Sequence, residues 1–263
     1  TPAYGLLPKT TFLTLCEEAV ETIAASCRGI AAIVGTPYLT AEGAISAAAF
    51  IDGRGGIEYI GKRHVSARRE MGYIVGSSIG SQTIHIKDTV LKAVVGDDLS
   101  RMEDLDEEID AIISVNARRY GKGILSRRLD KMSRLAFAEG RNLILVNQVG
   151  GSGDIVYDGT SGILNSDGRL VMLLKSFDED MQIFDTKAEN APIDVPFTTY
   201  NDRTRMIYEA ACLGLRDYFH KNGYKKACVG LSGGIDSAVV ACLAVGALGK
   251  ENVRVLLMPS PYT

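Results

Sequence analysis

The chain has 263 residues, of which 46% are hydrophobic and 23% are charged, so it is long enough to bury one or two hydrophobic cores. Its formal net charge of −3 gives no electrostatic reason to expect binding to nucleic acid or to a membrane surface. No uninterrupted apolar stretch approaches the roughly 20 residues that span a bilayer, and the start of the chain has no signal-peptide layout, so we expect a cytoplasmic protein.

The alternation of helices and apolar strands over the first 190 residues is typical of layered α/β folds. A polar, aperiodic stretch with two prolines follows and indicates a linker. We therefore place a first domain at residues 1–185, a linker at 186–202 and a second domain at 203–263. In the first domain the spacing predicts helices over 9–27 and 123–139, strands near 30–35, 45–52, 57–62, 83–87, 90–95, 111–115 and 142–147, and short strands from 155 to 174.

The second domain begins with an amphipathic helix over residues 201–223. Its predicted apolar face carries Ile207, Ala211, Leu215 and either Tyr218 or Phe219, and Gly223 ends the helix. A short apolar strand at 227–231, a helix at 238–248 and a strand at 253–257 follow.

The loop between this strand and helix reads Ser-Gly-Gly-Ile-Asp-Ser, residues 232–237. Gly233 and Gly234 can adopt positive φ and leave no Cβ in the way, so backbone N–H groups can surround phosphate oxygens at a helix N-terminus. Ser232 and Ser237 add hydroxyl donors. A carboxylate beside phosphates is repulsive unless a divalent cation bridges them, so Asp236 is the predicted Mg²⁺ ligand. The alternative is a glycine-rich turn whose Asp and second Ser are only helix caps.

The cysteines and histidines indicate neither disulfides nor a metal centre. The five cysteines form no C-x-x-C pair, and most fall at apolar positions, so we expect buried, reduced thiols. The three histidines, His64, His85 and His220, are too scattered to indicate a metal site.

The loop resembles the signature of the PP-loop ATP pyrophosphatases, which cleave ATP between its α and β phosphates and adenylate a substrate. With the flanks LGLRDYFHKNG and LLMPSPYT, it resembles the start of the synthetase domain of the NAD synthetases. The resemblance implies a homo-oligomeric ligase that uses ATP, Mg²⁺ and ammonia to amidate nicotinic acid adenine dinucleotide. Leu257 and Met258 would neighbour adenine or ribose, because ligands bind at the carboxyl ends of strands.

The first domain resembles the nitrilase-type glutaminase domain at the front of glutamine-dependent NAD synthetases. The segments CRGIAAIVGTPY, SVNARRYGKGILSRRLDKMSRLA and LVNQVGGSGDIVYDGTSGILNSDGRLV carry this resemblance, and the family writes the second of them with N-A-S-P-[YF]. The implied fold is a nitrilase-like four-layer αββα sandwich, incomplete at its N-terminus, followed by the start of a doubly wound PP-loop domain. That domain needs more strands than the two found here, so we expect a longer parent polypeptide.

Nitrilase-type amide hydrolysis uses a cysteine nucleophile, a glutamate base and a lysine that stabilises the oxyanion. The family's cysteine ends an apolar strand before E-D-L-W, and Gly96 occupies that position here. Lys62 fits the lysine, but the residues that usually follow it are replaced, which favours a solvated surface lysine. The glutamate would precede Thr1. We therefore expect a degenerate glutaminase and a synthetase that uses free ammonia. The alternatives are a non-catalytic nucleotide-binding scaffold and another PP-loop amide ligase.

Overall fold

The computed structural model describes residues 5–65, 72–102, 108–188, 192–193 and 203–257. Within these residues lie helices α1 (Thr10–Ser26), α2 (Ile124–Glu139), α3 (Arg203–Lys221) and α4 (Ile235–Leu248). The strands are β1 (Ala32–Thr40), β2 (Gly43–Ile51), β3 (Ile57–Gly61), β4 (Thr83–Ile86), β5 (Thr89–Val95), β6 (Ala111–Asn116), β7 (Asn142–Asn147), β8 (Val149–Ser152), β9 (Ile155–Asp158), β10 (Gly162–Leu164), β11 (Leu170–Leu173), β12 (Ala227–Leu231) and β13 (Val253–Leu257).

Two sheets form the centre of the first domain. One has three antiparallel strands in the order β1-β2-β3, and the other has six in the order β11-β10-β7-β6-β5-β4, with β5, β6 and β7 parallel. Because side chains alternate along a strand, Ala93 of β5 contacts the apolar cluster that includes Ile60 of β3, whereas Val94 joins the cluster under α2. Helix α1 covers the three-stranded sheet through Val20. The predicted four-layer αββα sandwich is confirmed.

Strands β12 and β13 form a parallel pair joined by α4, and the three elements make one βαβ unit. Both strands match their predicted positions. Helix α4 begins at Ile235, three residues before its predicted start, so Asp236 and Ser237 lie in its first turn. The described part of the chain contains no helix that is long and apolar enough to span a membrane.

Helix α3 packs on both units of the chain. Its buried residues are Met206, Ala210 and Leu213, which cluster with Leu125 and Phe177 of the first domain. The predicted face is wrong, since Ile207 is 51% exposed. Most of the linker lies outside the described residues, and the boundaries 1–185, 186–202 and 203–263 stay a prediction.

The cysteines are free, as expected, but they are not buried. Cys16, Cys27 and Cys212 are half-buried, and Cys228 and Cys242 are exposed. Cys228 lies on β12 and Cys242 lies on α4, in a unit that exposes many apolar side chains, including Val240 of α4 and Leu256 of β13. An apolar sequence position therefore did not guarantee burial in this unit.

Candidate functional site

The Ser-Gly-Gly loop connects β12 to α4. We predicted a positive φ for both of its glycines, and one of the two has it. Gly233 has φ +85°, in the region that favours glycine, and the space where its Cβ would stand is open. Gly234 instead has φ −82° and ψ 157°, because it is the extended N-cap residue of α4. The prediction of positive φ is therefore wrong for Gly234, whose lack of a side chain only leaves room beside the loop.

The two serines join the start and the end of the loop. Ser237 Oγ donates to the Gly234 carbonyl at 2.9 Å and accepts from the Ser232 N–H at 3.3 Å, and the two hydroxyl oxygens are 3.3 Å apart. The first-turn N–H groups of a helix have no intrahelical acceptor and carry partial positive charge. The serines thus hold the chain in a turn that presents these groups at one exposed surface.

Asp236 lies in the first turn of α4, and its side chain is exposed. The N-cap residue of α4 is Gly234, so Asp236 and Ser237 lie inside the first turn and neither occupies the N-cap position that the alternative assumed. No group of three or more potential metal-ligating side chains occurs among the residues that the structure describes. A single carboxylate fits Mg²⁺, which proteins commonly bind through one or two carboxylates and the phosphates of a nucleotide.

Leu257 ends β13 directly beside Leu231, the last residue of β12. The carboxyl ends of both strands therefore lie at the same edge of the sheet as the loop. Leu257 is 69% exposed there, as a contact for a nucleotide base or ribose requires. Met258 lies outside the described residues.

A second constellation surrounds Gly96, at the carboxyl end of β5. Gly96 has φ +62°, and a Cβ built on it would be 3.5 Å from Lys62 Cε and 3.6 Å from Lys62 Nζ. The expectation of a solvated surface lysine is wrong, because Lys62 is only 3% exposed. Its backbone is fixed on both sides: its N–H donates to the Ser46 carbonyl at 2.8 Å, and its carbonyl accepts from the Ser77 N–H at 2.9 Å.

Asp98 holds the lysine segment against the Gly96 segment. Its buried carboxylate accepts from the Arg63 N–H at 2.5 Å and the His64 N–H at 3.0 Å, and it lies 3.2 Å from His64 Nδ1. Asp98 corresponds to the Asp of E-D-L-W, so the motif itself could have identified this residue, which the sequence analysis missed.

Arg118 lies on the opposite side of Gly96. Its guanidinium is 3.0 Å from Asp97 Oδ1, donates to Asn116 Oδ1 at 3.0 Å, and approaches the Gly96 carbonyl at 3.5 Å. Its backbone N–H donates to Asn147 Oδ1 at 2.8 Å. Arg118 stands where the related sequences have the Ser of N-A-S-P. A guanidinium group therefore lies beside Gly96, the predicted position of the nucleophile.

The fold and these two constellations define a nitrilase-like domain followed by the start of a PP-loop nucleotide-binding unit. A family model described as NAD synthase matches residues 207–263. The glutamine-dependent NAD(+) synthetase of Xanthomonas campestris pv. campestris is 32% identical to this chain, over 100% of this chain and 50% of that protein. The enzyme of the same description from Synechocystis sp. is 38% identical over 62% of this chain and 29% of that protein.

Solved structures support the same assignment. The glutamine-dependent NAD+ synthetase of Acinetobacter baumannii, in complex with ADP, matches with a TM-score of 0.80 and 27% identity, over 100% of this chain and 51% of that one. A carbon-nitrogen hydrolase from Helicobacter pylori G27 matches with a TM-score of 0.58 at 19% identity, over 65% of this chain and 68% of that one, and shares the fold. The chain belongs to the glutamine-dependent NAD synthetase family. The whole of this chain matches the Xanthomonas relative, but it spans only 50% of the length of that protein.

Proposed function

We propose that the protein containing this chain is an ATP-dependent NAD synthetase that amidates nicotinic acid adenine dinucleotide with free ammonia. The observation that carries the ligase assignment is the Ser232–Gly234 turn at the N-terminus of α4, beside the carboxyl ends of two parallel strands. This is where nucleotides bind in open α/β sheets. The relative from Acinetobacter baumannii has ADP bound, which supports a nucleotide ligand for this family.

The proposed reaction has two steps. A carboxylate oxygen of the dinucleotide attacks the α-phosphorus of ATP, so that pyrophosphate leaves and an acyl adenylate forms. Ammonia then attacks the acyl carbon, AMP leaves, and the nitrogen loses a proton. Adenylation is needed because AMP is a good leaving group and oxide is not.

The geometry of the loop supports a proposed role for each of its residues. The first-turn N–H groups of α4 and the Ser232 hydroxyl present donors to the developing negative charge of the departing pyrophosphate. Ser237, whose hydroxyl donates to the Gly234 carbonyl, holds the turn in which the pyrophosphate binds. Asp236 would hold Mg²⁺, which neutralises phosphate charge when it is bound. Leu257 and Met258 are the proposed neighbours of the adenosine moiety.

The residues around Gly96 support the proposed use of free ammonia. Glycine has no nucleophile, and loss of the central member of a catalytic unit typically costs as much rate as loss of the whole unit. The oxyanion lysine, Lys62, is nevertheless buried beside Gly96. We therefore propose that the domain no longer hydrolyses glutamine, although it keeps part of the architecture of a glutaminase.

The test compares the two nitrogen sources in the protein that contains this chain. We expect NAD to form from the dinucleotide, ATP and ammonium, and glutamine to release no glutamate above background. Pyrophosphate release that requires a different carboxylate acceptor would overturn the ligase assignment. Glutamate release that keeps pace with NAD formation, and that a glutamine-analogue alkylating agent blocks, would show that a cysteine elsewhere is the nucleophile.

A further inference from the structure

Helix α3 is anchored to the β8–β9 hairpin of the nitrilase-like domain by the backbone N–H and the carbonyl of Gly151. The Gly151 N–H donates to Asp217 Oδ2 at 2.6 Å, and the Gly151 carbonyl accepts from Lys221 Nζ. Hydrogen bonds to charged groups are the stronger kind, and the Asp217 side chain is only 20% exposed. The two side chains therefore fix the last turns of α3 to a strand of the first domain.

Two glycines let the helix and the hairpin approach closely. A Cβ on Gly151 would lie 3.2 Å from Gly214 Cα of α3 and 3.3 Å from Asp217 Cβ. A Cβ on Gly214 would lie 3.0 Å from Val156 Cγ2 of β9. Further toward the start of α3, the apolar cluster around Met206 continues the contact. The contact thus extends along most of the helix and combines apolar burial with charged hydrogen bonds.

The opposite side of α3 contacts α4, which begins at the nucleotide loop. At Gly246 a Cβ would lie 2.2 Å from Tyr208 Oη and 2.9 Å from Cys212 Sγ, so the two helices also meet closely there. Cys212 Sγ additionally approaches the Leu243 carbonyl at 3.7 Å. Helix α3 is therefore packed between the hairpin and α4, without intervening layers.

We propose that the nitrilase-like domain positions the nucleotide loop through α3, with Asp217 as the positioning residue and Gly151 as its partner. This inference rests on the proposed ATP site. Packed elements have few alternative arrangements, so fixing α3 on the hairpin restricts where α4 and its N-terminal N–H groups can point. The domain then contributes to ATP binding without hydrolysing glutamine.

The test replaces Asp217 in the protein that contains this chain. Asp217→Ala removes the acceptor of the Gly151 N–H, and we expect the KM for ATP to rise by about twofold to thirtyfold, the range of couplings carried through packed contacts, while kcat changes less. Amide hydrogen exchange should become faster in the peptide covering residues 230–240. The matched control is Glu209→Ala, which removes another α3 carboxylate, paired with Arg205 on the same helix. It should change neither quantity.

The outcomes separate this inference from the proposed function. If the wild-type protein does not bind ATP, the proposed function is wrong. If the wild-type protein binds ATP and a folded Asp217→Ala variant has an unchanged KM and unchanged exchange, the positioning role is refuted. Should Asp217→Ala fail to fold, Lys221→Met decides the question, since this side chain is 59% exposed and its loss removes the second hydrogen bond and the 4.0 Å ion pair with Asp217 but leaves the bond from Gly151 N–H to Asp217. An unchanged KM in that variant would overturn the proposal.

Discussion

A thiol restored at position 96 should be unusually reactive because Lys62 is still beside it. A Cβ at Gly96 would lie 3.6 Å from Lys62 Nζ. The sulfur is one bond further along the side chain, so it would be about 4–6 Å from the ammonium group. At that separation an opposite charge lowers the pKa of an acid by about 1–3 units. Relative to an ordinary thiol pKa near ~8.5, this predicts a value of about 5.5–7.5 for the thiol introduced by Gly96→Cys. The positive φ at Gly96 should cost about 1–3 kcal/mol of stability.

The assay is alkylation by iodoacetamide as a function of pH, followed by mass spectrometry of the peptide that contains position 96. The exposed Cys228 and Cys242 serve as internal references for accessibility. The matched control combines Gly96→Cys with Lys62→Met, which should return the midpoint to about 8.5 or above. Equal midpoints with and without Lys62 would refute the inference that this lysine faces position 96. Glutamine turnover is not the readout, because hydrolysis also needs a general base.

Two further predictions concern the nucleotide unit. Asp236→Asn should lower kcat/KM for ATP by about a hundredfold or more, because a metal ion supplies several kcal/mol of charge stabilisation. The control Glu251→Gln, in the short 3-10 turn that follows the C-terminus of α4, should retain activity. An Asp236→Asn variant with full turnover at limiting Mg²⁺ would contradict the metal role. Gly246→Ala places a Cβ 2.2 Å from Tyr208 Oη, so the close contact should destabilise the fold by about 1–3 kcal/mol. This cost should exceed the stabilisation of about 1 kcal/mol that the higher helix propensity of alanine provides. Thermal unfolding should show a lower Tm than for Gly72→Ala, where a Cβ meets nothing within 4 Å, and equal Tm values would contradict the close packing of α3 and α4.

The sequence predicted most of the regular elements because their hydrophobic periods are local properties, although β8 was not predicted and β1 extends to Thr40, past its predicted end at residue 35. Helix α1 was predicted at residues 9–27 and is observed at Thr10–Ser26, and β7 was predicted at its observed bounds. The loop was also predicted, but the φ of Gly234 was wrong because α4 begins three residues earlier than its apolar spacing indicated. Polar residues such as Asp236 can occupy the first turn of a helix, and the spacing of apolar residues cannot indicate that such a turn is helical.

The state of Lys62 could not be predicted from its own neighbourhood in the sequence. Lysines are almost never fully buried, so the general expectation favoured solvent. Its burial depends on Ser46 and Ser77, which fix its backbone from distant parts of the chain, and on Asp98, which holds the residues after it. These contacts join the segment of Lys62 to three other segments of the chain, and no local sequence pattern indicates them.

The predicted face of α3 failed for a physical reason that bears on the role of the first domain. A helix with one apolar face has one partner, and the prediction assumed this arrangement. Helix α3 has two, since Met206 and Leu213 join the core of the nitrilase-like domain while Tyr208 and Cys212 meet α4. Apolar residues then occur around much of the helix, and no single stripe identifies the buried side. Loss of the first domain would expose the cluster around Met206, so the nucleotide unit depends on the nitrilase-like domain for its packing even where that domain carries out no chemistry.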